Sequence, residues 1–145
     1  MRIRSLVFGV LLMVVPLTLS VSPVASESGK ENSPSVIQAF PPAYPPIARA
    51  GQVSGEVIAE ATVDSGGAVT SVSIVKGHKL LNGAVEKAAS RWKFSPPGRG
   101  AKNRKVQLIF QFTLIPANKG TPDDLGVVFW PPYKVEVRDA PYRVD

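Results

Sequence analysis

The sequence predicts an α+β fold: a small antiparallel sheet of about three strands, one main helix packed on one face, and a C-terminal tail that can add a strand. Three observations carry this. Residues 80–94 (LLNGAVEKAASRWKF) place Leu81, Val85, Ala88 and Trp92 at spacings of four, three and four, the stripe of an amphipathic helix. Residues 52–64 and 68–75 are strand-like stretches on either side of a glycine turn. Residues 105–114 alternate again, with Phe110 and Phe112 on one face. Strands with one apolar face need something to bury against, and this helix is the only substantial one after the N-terminus.

Residues 1–26 have the layout of an export signal. Arg2 and Arg4 form the positive end, residues 6–19 are apolar apart from Thr18, and Ser22-Pro23-Val24-Ala25-Ser26 offers small residues for cleavage. An uncleaved anchor is the alternative, but the run is short of the roughly 20 residues a spanning helix needs, and Pro16 interrupts it. Either way the remainder sits outside the cytoplasm: in the periplasm after cleavage, or on an inner-membrane single-pass anchor. Residues 27–40, continuing to about Ala43, are rich in Ser, Glu and Pro and read as a flexible lead-in. Tyr44-Pro45-Pro46-Ile47-Ala48-Arg49-Ala50-Gly51 reads as one or two helical turns. Proline is tolerated where its missing N–H would be unpaired, and glycine suits the exit.

In the first strand Val53, Val57, Ala59, Ala61 and Val63 share one face; Ser54, Glu56, Glu60 and Thr62 take the other, with Ile58 the exception. Asp64-Ser65-Gly66-Gly67 marks a tight hairpin turn. Asn82 is the expected N-cap of the main helix, because its side chain can accept from unpaired backbone N–H groups. In the third strand Val106, Leu108, Phe110, Phe112 and Leu114 point one way and Lys105, Gln107, Gln111 and Thr113 the other. Residues 41–115 therefore form the domain and 116–145 an extension. In the extension Pro116 to Asp124 is linker-like, residues 126–133 are apolar and aromatic, and residues 134–138 alternate like a strand.

The 145 residues suffice for one domain plus tails, and 44% hydrophobic with 19% charged residues is ordinary for a globular chain. The absence of cysteine excludes disulfides, thiolate catalysis and cysteine metal sites. No catalytic set emerges. His78 has no Asp or Glu partner nearby in sequence, and no serine sits in a nucleophile elbow. One histidine does not suggest a metal site, and no cofactor is expected. Nine basic residues (Lys76, Lys79, Lys87, Arg91, Lys93, Arg99, Lys102, Arg104 and Lys105) cluster around the helix, with Glu86 the only acid among them. They read chiefly as a solvated face, and otherwise as a patch steering toward acidic peptides or anionic headgroups. An exported chain with no recognition motif does not call for nucleic acid.

Several of these residues form an ordered set that resembles the TonB C-terminal domain family. Tyr44, Pro45, Arg49 and Gly51, then Gly55, then Asp64 and Gly66, match the family's opening. Leu81, with Trp92, Phe94 and Pro96 closing the segment, matches its helix, and residues 106–114 its last strand. The resemblance covers residues 41–115 and implies the family's fold, a short antiparallel sheet with helical packing on one face. It also implies a non-enzymatic function. TonB-like proteins capture a short segment of outer-membrane TonB-dependent transporters and deliver work through inner-membrane proton-channel partners. The capture is β-augmentation, in which an extended peptide pairs with a sheet edge. The resemblance places that edge on Lys105, Val106, Gln107, Leu108, Ile109, Phe110, Gln111, Phe112 and Thr113. The chain departs from the full transducer in its short lead-in and in having its only histidine, His78, inside the domain. Three readings follow: an exported binding module acting on an envelope protein, an anchored energy transducer, and a self-associating structural protein or homodimer whose edges pair between copies. The tail's strand-like stretches can extend the core or pair with the edge a transporter peptide would occupy.

Overall fold

A computed structural model describes residues 34–96 and 102–142 of the chain. The export signal, the first part of the lead-in and the loop from Pro97 onward to residue 101 lie outside them. In chain order the elements are β1 (Val36–Gln38), α1 (Pro46–Ala50), β2 (Gly55–Val63), β3 (Val69–Lys76), α2 (Lys79–Ala89), β4 (Lys93–Phe94), β5 (Arg104–Leu114), β6 (Gly126–Trp130) and β7 (Lys134–Asp139). A 3-10 turn at Pro122–Asp124 precedes β6. Among the described residues no helix is long and apolar enough to cross a membrane.

The main sheet runs β3-β2-β5-β7-β6. The expected antiparallel trio is its first half, β2 pairing with β3 and with β5. The tail contributes two strands rather than one, and β7 lies parallel to β5. A separate two-stranded ladder joins β1 to β4, so part of the lead-in is ordered: Val36 pairs with Phe94 and Gln38 with Lys93. Three residues without a strong alternating pattern carry no strand signal of their own, and their partner supplies it.

One face of the sheet holds the core. Val57, Ala59, Ala61 and Val63 of β2, Val106, Leu108, Phe110 and Phe112 of β5, and Val135 and Val137 of β7 are all buried. From the other side α2 adds Leu81, Val85, Ala88 and Ala89. The helix is shorter than its stripe suggests. It ends at Ala89 with Ser90 as C-cap, and Trp92 is buried just beyond it, in the passage to β4. Its N-cap is His78 rather than Asn82: His78 Nδ1 accepts from the Leu80 backbone N–H at 3.2 Å. The helix has already begun at Lys79, which places Asn82 inside its first turn and a half. The other face is polar and faces water, as antiparallel sheets allow. Ile58, the exception on that face, is the register partner of Ile109, so two half-buried isoleucines shield each other there.

Candidate functional site

The family motif residues are the joints of this architecture. Tyr44 packs edge-on against Phe112, with ring centroids 5.2 Å apart, and its hydroxyl donates to the Val53 carbonyl. Burial, with a smaller contribution from the Asp139 carboxylate, holds the Tyr44 phenol above its ordinary pKa. Pro45 caps α1, and the Gly51 N–H returns to the Ile47 carbonyl at 3.0 Å. Asp64 Oδ1 accepts from the N–H groups of Gly66 and Ala68, each at 2.9 Å, closing the β2–β3 turn. The positive φ in that turn falls on Gly67, at 88°, and not on Gly66. A Cβ at Gly67 would collide with the Phe94 carbonyl. The Phe94 N–H, in turn, donates to the Gly67 carbonyl at 2.8 Å.

β5 forms as expected and presents two rims. Its even-numbered core residues alternate with odd-numbered ones, and the backbone groups of successive residues point to opposite neighbours. The Ile109 N–H donates to the Tyr133 carbonyl at 3.0 Å and the Ile115 N–H to the Asp139 carbonyl at 2.9 Å. Odd-numbered residues of β5 therefore direct their backbone groups away from β2. On that rim Ile109, Phe110, Gln111, Phe112, Thr113 and Leu114 are paired with Lys134 through Asp139 of β7. The strand that the resemblance marks as the peptide edge is thus an edge only at its beginning. No described strand pairs with residues 105–108 on this side, which leaves the backbone groups of Lys105 and Gln107 facing outward.

That short rim borders a hollow of about 730 Å³. Gln107 and Ile109 line it on one side, and Trp130, Pro131, Pro132 and Tyr133 of the β6–β7 turn on the other. Tyr133 fixes the turn: its hydroxyl donates to the Pro34 carbonyl and its ring lies 6.2 Å from that of Phe94. At the far end of β7, Arg49 of the family motif forms a 3.1 Å ion pair with Asp139. Sequence reading missed this contact, since nothing local joins residues 90 positions apart. Between those ends, Arg138 donates to Glu136 at 2.9 Å and holds that carboxyl below the usual glutamate range.

The basic residues near the helix do not act as one patch. Lys105 pairs with Glu60 at 2.8 Å and Lys76 with Glu56 at 3.8 Å, across strands of the polar face. Arg91 lies 4.2 Å above the Phe40 ring, and Arg104 donates to the Ser95 carbonyl at 3.0 Å. Lys79 and Lys87 are exposed on α2, and Arg99 lies outside the described residues. The sheet has two further open rims, on its terminal strands β3 and β6.

Such a molecule is an α+β module whose distinctive offering is unpaired strand backbone next to apolar hollows. Its residues 41–114 match the family model described as the Gram-negative bacterial TonB protein C-terminal. The chain belongs to that family, which is linked to TonB-dependent transport. It is 46% identical over 57 residues to Protein TonB of Xanthomonas campestris pv. campestris, strain B100, and equally to that of strain ATCC 33913. The match covers 38% of this chain and spans only 26% of those relatives' length. The solution structure of the Pseudomonas aeruginosa TonB C-terminal domain is similar at a TM-score of 0.45 and 24% identity, covering 59% of this chain and 88% of that one. The family match ends where β5 ends, so the β6–β7 hairpin lies beyond it.

Proposed function

We propose that this chain is a non-enzymatic binding module of the periplasm. It captures an extended peptide from an envelope protein, in the first instance an outer-membrane TonB-dependent transporter, by adding it to the outer rim of β5. One observation carries the proposal. That rim already takes an added strand from the chain's own tail, six consecutive residues of β5 pairing in parallel with β7. Backbone pairing supplies affinity and the alternate side-chain pockets supply selectivity. The incoming peptide first meets Lys105 and Gln107, where the rim is open, and the hairpin then yields the remaining positions. Trp130 and Tyr133 offer it aromatic surface at the point of entry.

A disulfide lock tests this. Gln111 and Glu136 are register partners on the polar face of β5 and β7, and the chain has no cysteine of its own. In the full chain carrying Gln111→Cys and Glu136→Cys, oxidation pins the hairpin in place. A synthetic transporter-box peptide should bind the oxidised form at least about tenfold more weakly than the reduced form, about 1.4 kcal/mol or more. Equal affinity in both states, or no binding by the reduced form, would rule out capture on β5.

A further inference from the structure

We propose that the helical side of the domain carries a second peptide site, a groove along α2 that takes an extended acidic segment of a partner protein. No residue of β5, β6 or β7 lines it, so this site stands whether or not β5 captures a peptide.

The groove, of about 880 Å³, runs between α2 and the segment leading into α1. Pro41, Pro42, Pro45 and Pro46 form one wall. Proline has no N–H, and the backbone groups inside α2 are used within the helix, so strand pairing cannot hold a guest here. Side chains must do it. On the α2 side they follow two rows at four-residue spacing. Leu80, Ala84 and Ala88 are the better buried row, and Lys79, Gly83, Lys87 and Arg91 form an exposed lip. Nothing in the fold calls for glycine at position 83. Unlike Gly67 it has no positive φ, and a Cβ there would meet nothing within 4 Å. Glycine weakens a helix interior relative to alanine. What Gly83 provides is a low stretch in the lip, where a second backbone can come close to the helix.

The charge of the lip identifies the guest. Lys79, Lys87 and Arg91 are exposed and have no ion pair among the described residues, and no described acidic residue lines the groove. The sheet's Lys76 and Lys105, by contrast, are matched with Glu56 and Glu60. Arg91 is held in position 4.2 Å above the Phe40 ring instead of by an acid. At about 1.5 Å per helical residue, Lys79 and Lys87 stand about 12 Å apart along the axis, with Arg91 about 6 Å further on. An extended chain rises about 3.1–3.4 Å per residue. Carboxylates four and two residues apart therefore fall opposite the three cations, the middle one at Lys87. Ion pairs on an open surface are individually weak, so the affinity is modest and falls as salt rises.

Fluorescence anisotropy on the full chain tests this with a labelled seven-residue peptide that has glutamate at its first, third and seventh positions and alanine or proline elsewhere. At low salt it should bind at least about tenfold more tightly than the same peptide with glutamine in place of glutamate. Gly83→Leu fills the low stretch and favours the helix, so it should weaken binding at least about tenfold while melting no lower than the parent. Lys87→Glu should weaken binding as much. A peptide with lysine in place of the middle glutamate should then bind Lys87→Glu at least about tenfold better than it binds the parent, a reversal that loss of folding cannot imitate. Equal binding of the glutamate and glutamine peptides, a folded Gly83→Leu protein that binds like the parent, or no reversal in the swapped pair would each overturn the inference. So would a parent that ignores the peptide yet binds phosphatidylglycerol vesicles through Lys87, since that would assign the lip to a membrane surface.

Discussion

At Trp92 three kinds of interaction meet in one side chain. Its ring packs against Phe94 and edge-on against Phe110, at centroid distances of 6.1 and 5.8 Å. Its Nε1–H donates to the Phe40 carbonyl at 2.8 Å, tying the segment before α1 to the core. Only 2% of the residue is exposed. Truncation to alanine removes the ring and leaves that carbonyl without its donor, so Trp92→Ala should lose about 3–5 kcal/mol of unfolding free energy. Trp92→Phe, which keeps most of the packing and loses the hydrogen bond, should lose distinctly less. Urea titrations followed by far-UV circular dichroism measure both. A loss below about 1 kcal/mol for the alanine variant would mean that the core closes without this ring. The burial of Trp92 was legible in its four-residue spacing from Ala88. Its departure from the helix was not, since Ser90 and Arg91 continue the turn and only the pairing of Lys93 and Phe94 with β1 shows that the chain has turned away.

At the level of elements, the β6–β7 hairpin is both the tenant of an edge and a piece of the core. Val135 and Val137 sit on the core face beside Phe110 and Phe112, and Tyr133 reaches back to Pro34 and Phe94. Fully burying a valine is worth about 1.5–3 kcal/mol. Removing residues 116–145 should therefore lower stability by roughly 3–6 kcal/mol and raise binding of an apolar dye, as the faces of Phe110 and Phe112 open to water. A truncated chain that melts with the parent would make the hairpin an accessory. The alternation from Lys134 to Arg138 announced a strand in the sequence, and the β2–β3 hairpin was equally plain from Asp64 and its glycines. That the tail pairs with the edge on β5 was one of the two readings the sequence left open; which of the tail's two stretches does so, and its parallel direction, were not readable. Both depend on a long connection and on Arg49 meeting Asp139, and neither leaves a local pattern. The same limit hid β1 and misplaced the helix cap, where a histidine at position 78 serves in the role expected of Asn82.

Across the whole molecule, the five strands form one sheet over one core, yet the proposed capture requires part of that sheet to leave while the rest stands. β5 records the difference in its own backbone. The amides of Ile109, Gln111 and Thr113 face β7, whereas those of Leu108, Phe110 and Phe112 face β2, as the Ile109 bond to Tyr133 fixes. Hydrogen exchange measures the free energy of the opening that exposes each amide, and partial openings appear as values below the global one. If the hairpin detaches as a unit, protection should alternate along a single strand. The β7-facing amides would exchange through a smaller opening, at rates tenfold or more above those facing β2. Addition of a transporter-box peptide should then protect the fast set again and extend protection to Lys105 and Gln107, which face outward in the unliganded chain. Uniform protection from residue 108 to 113 would mean that β7 leaves only when everything unfolds. In that case a peptide has no more than residues 105–108 of β5 to pair with, and a rim that short cannot carry the capture proposed for it.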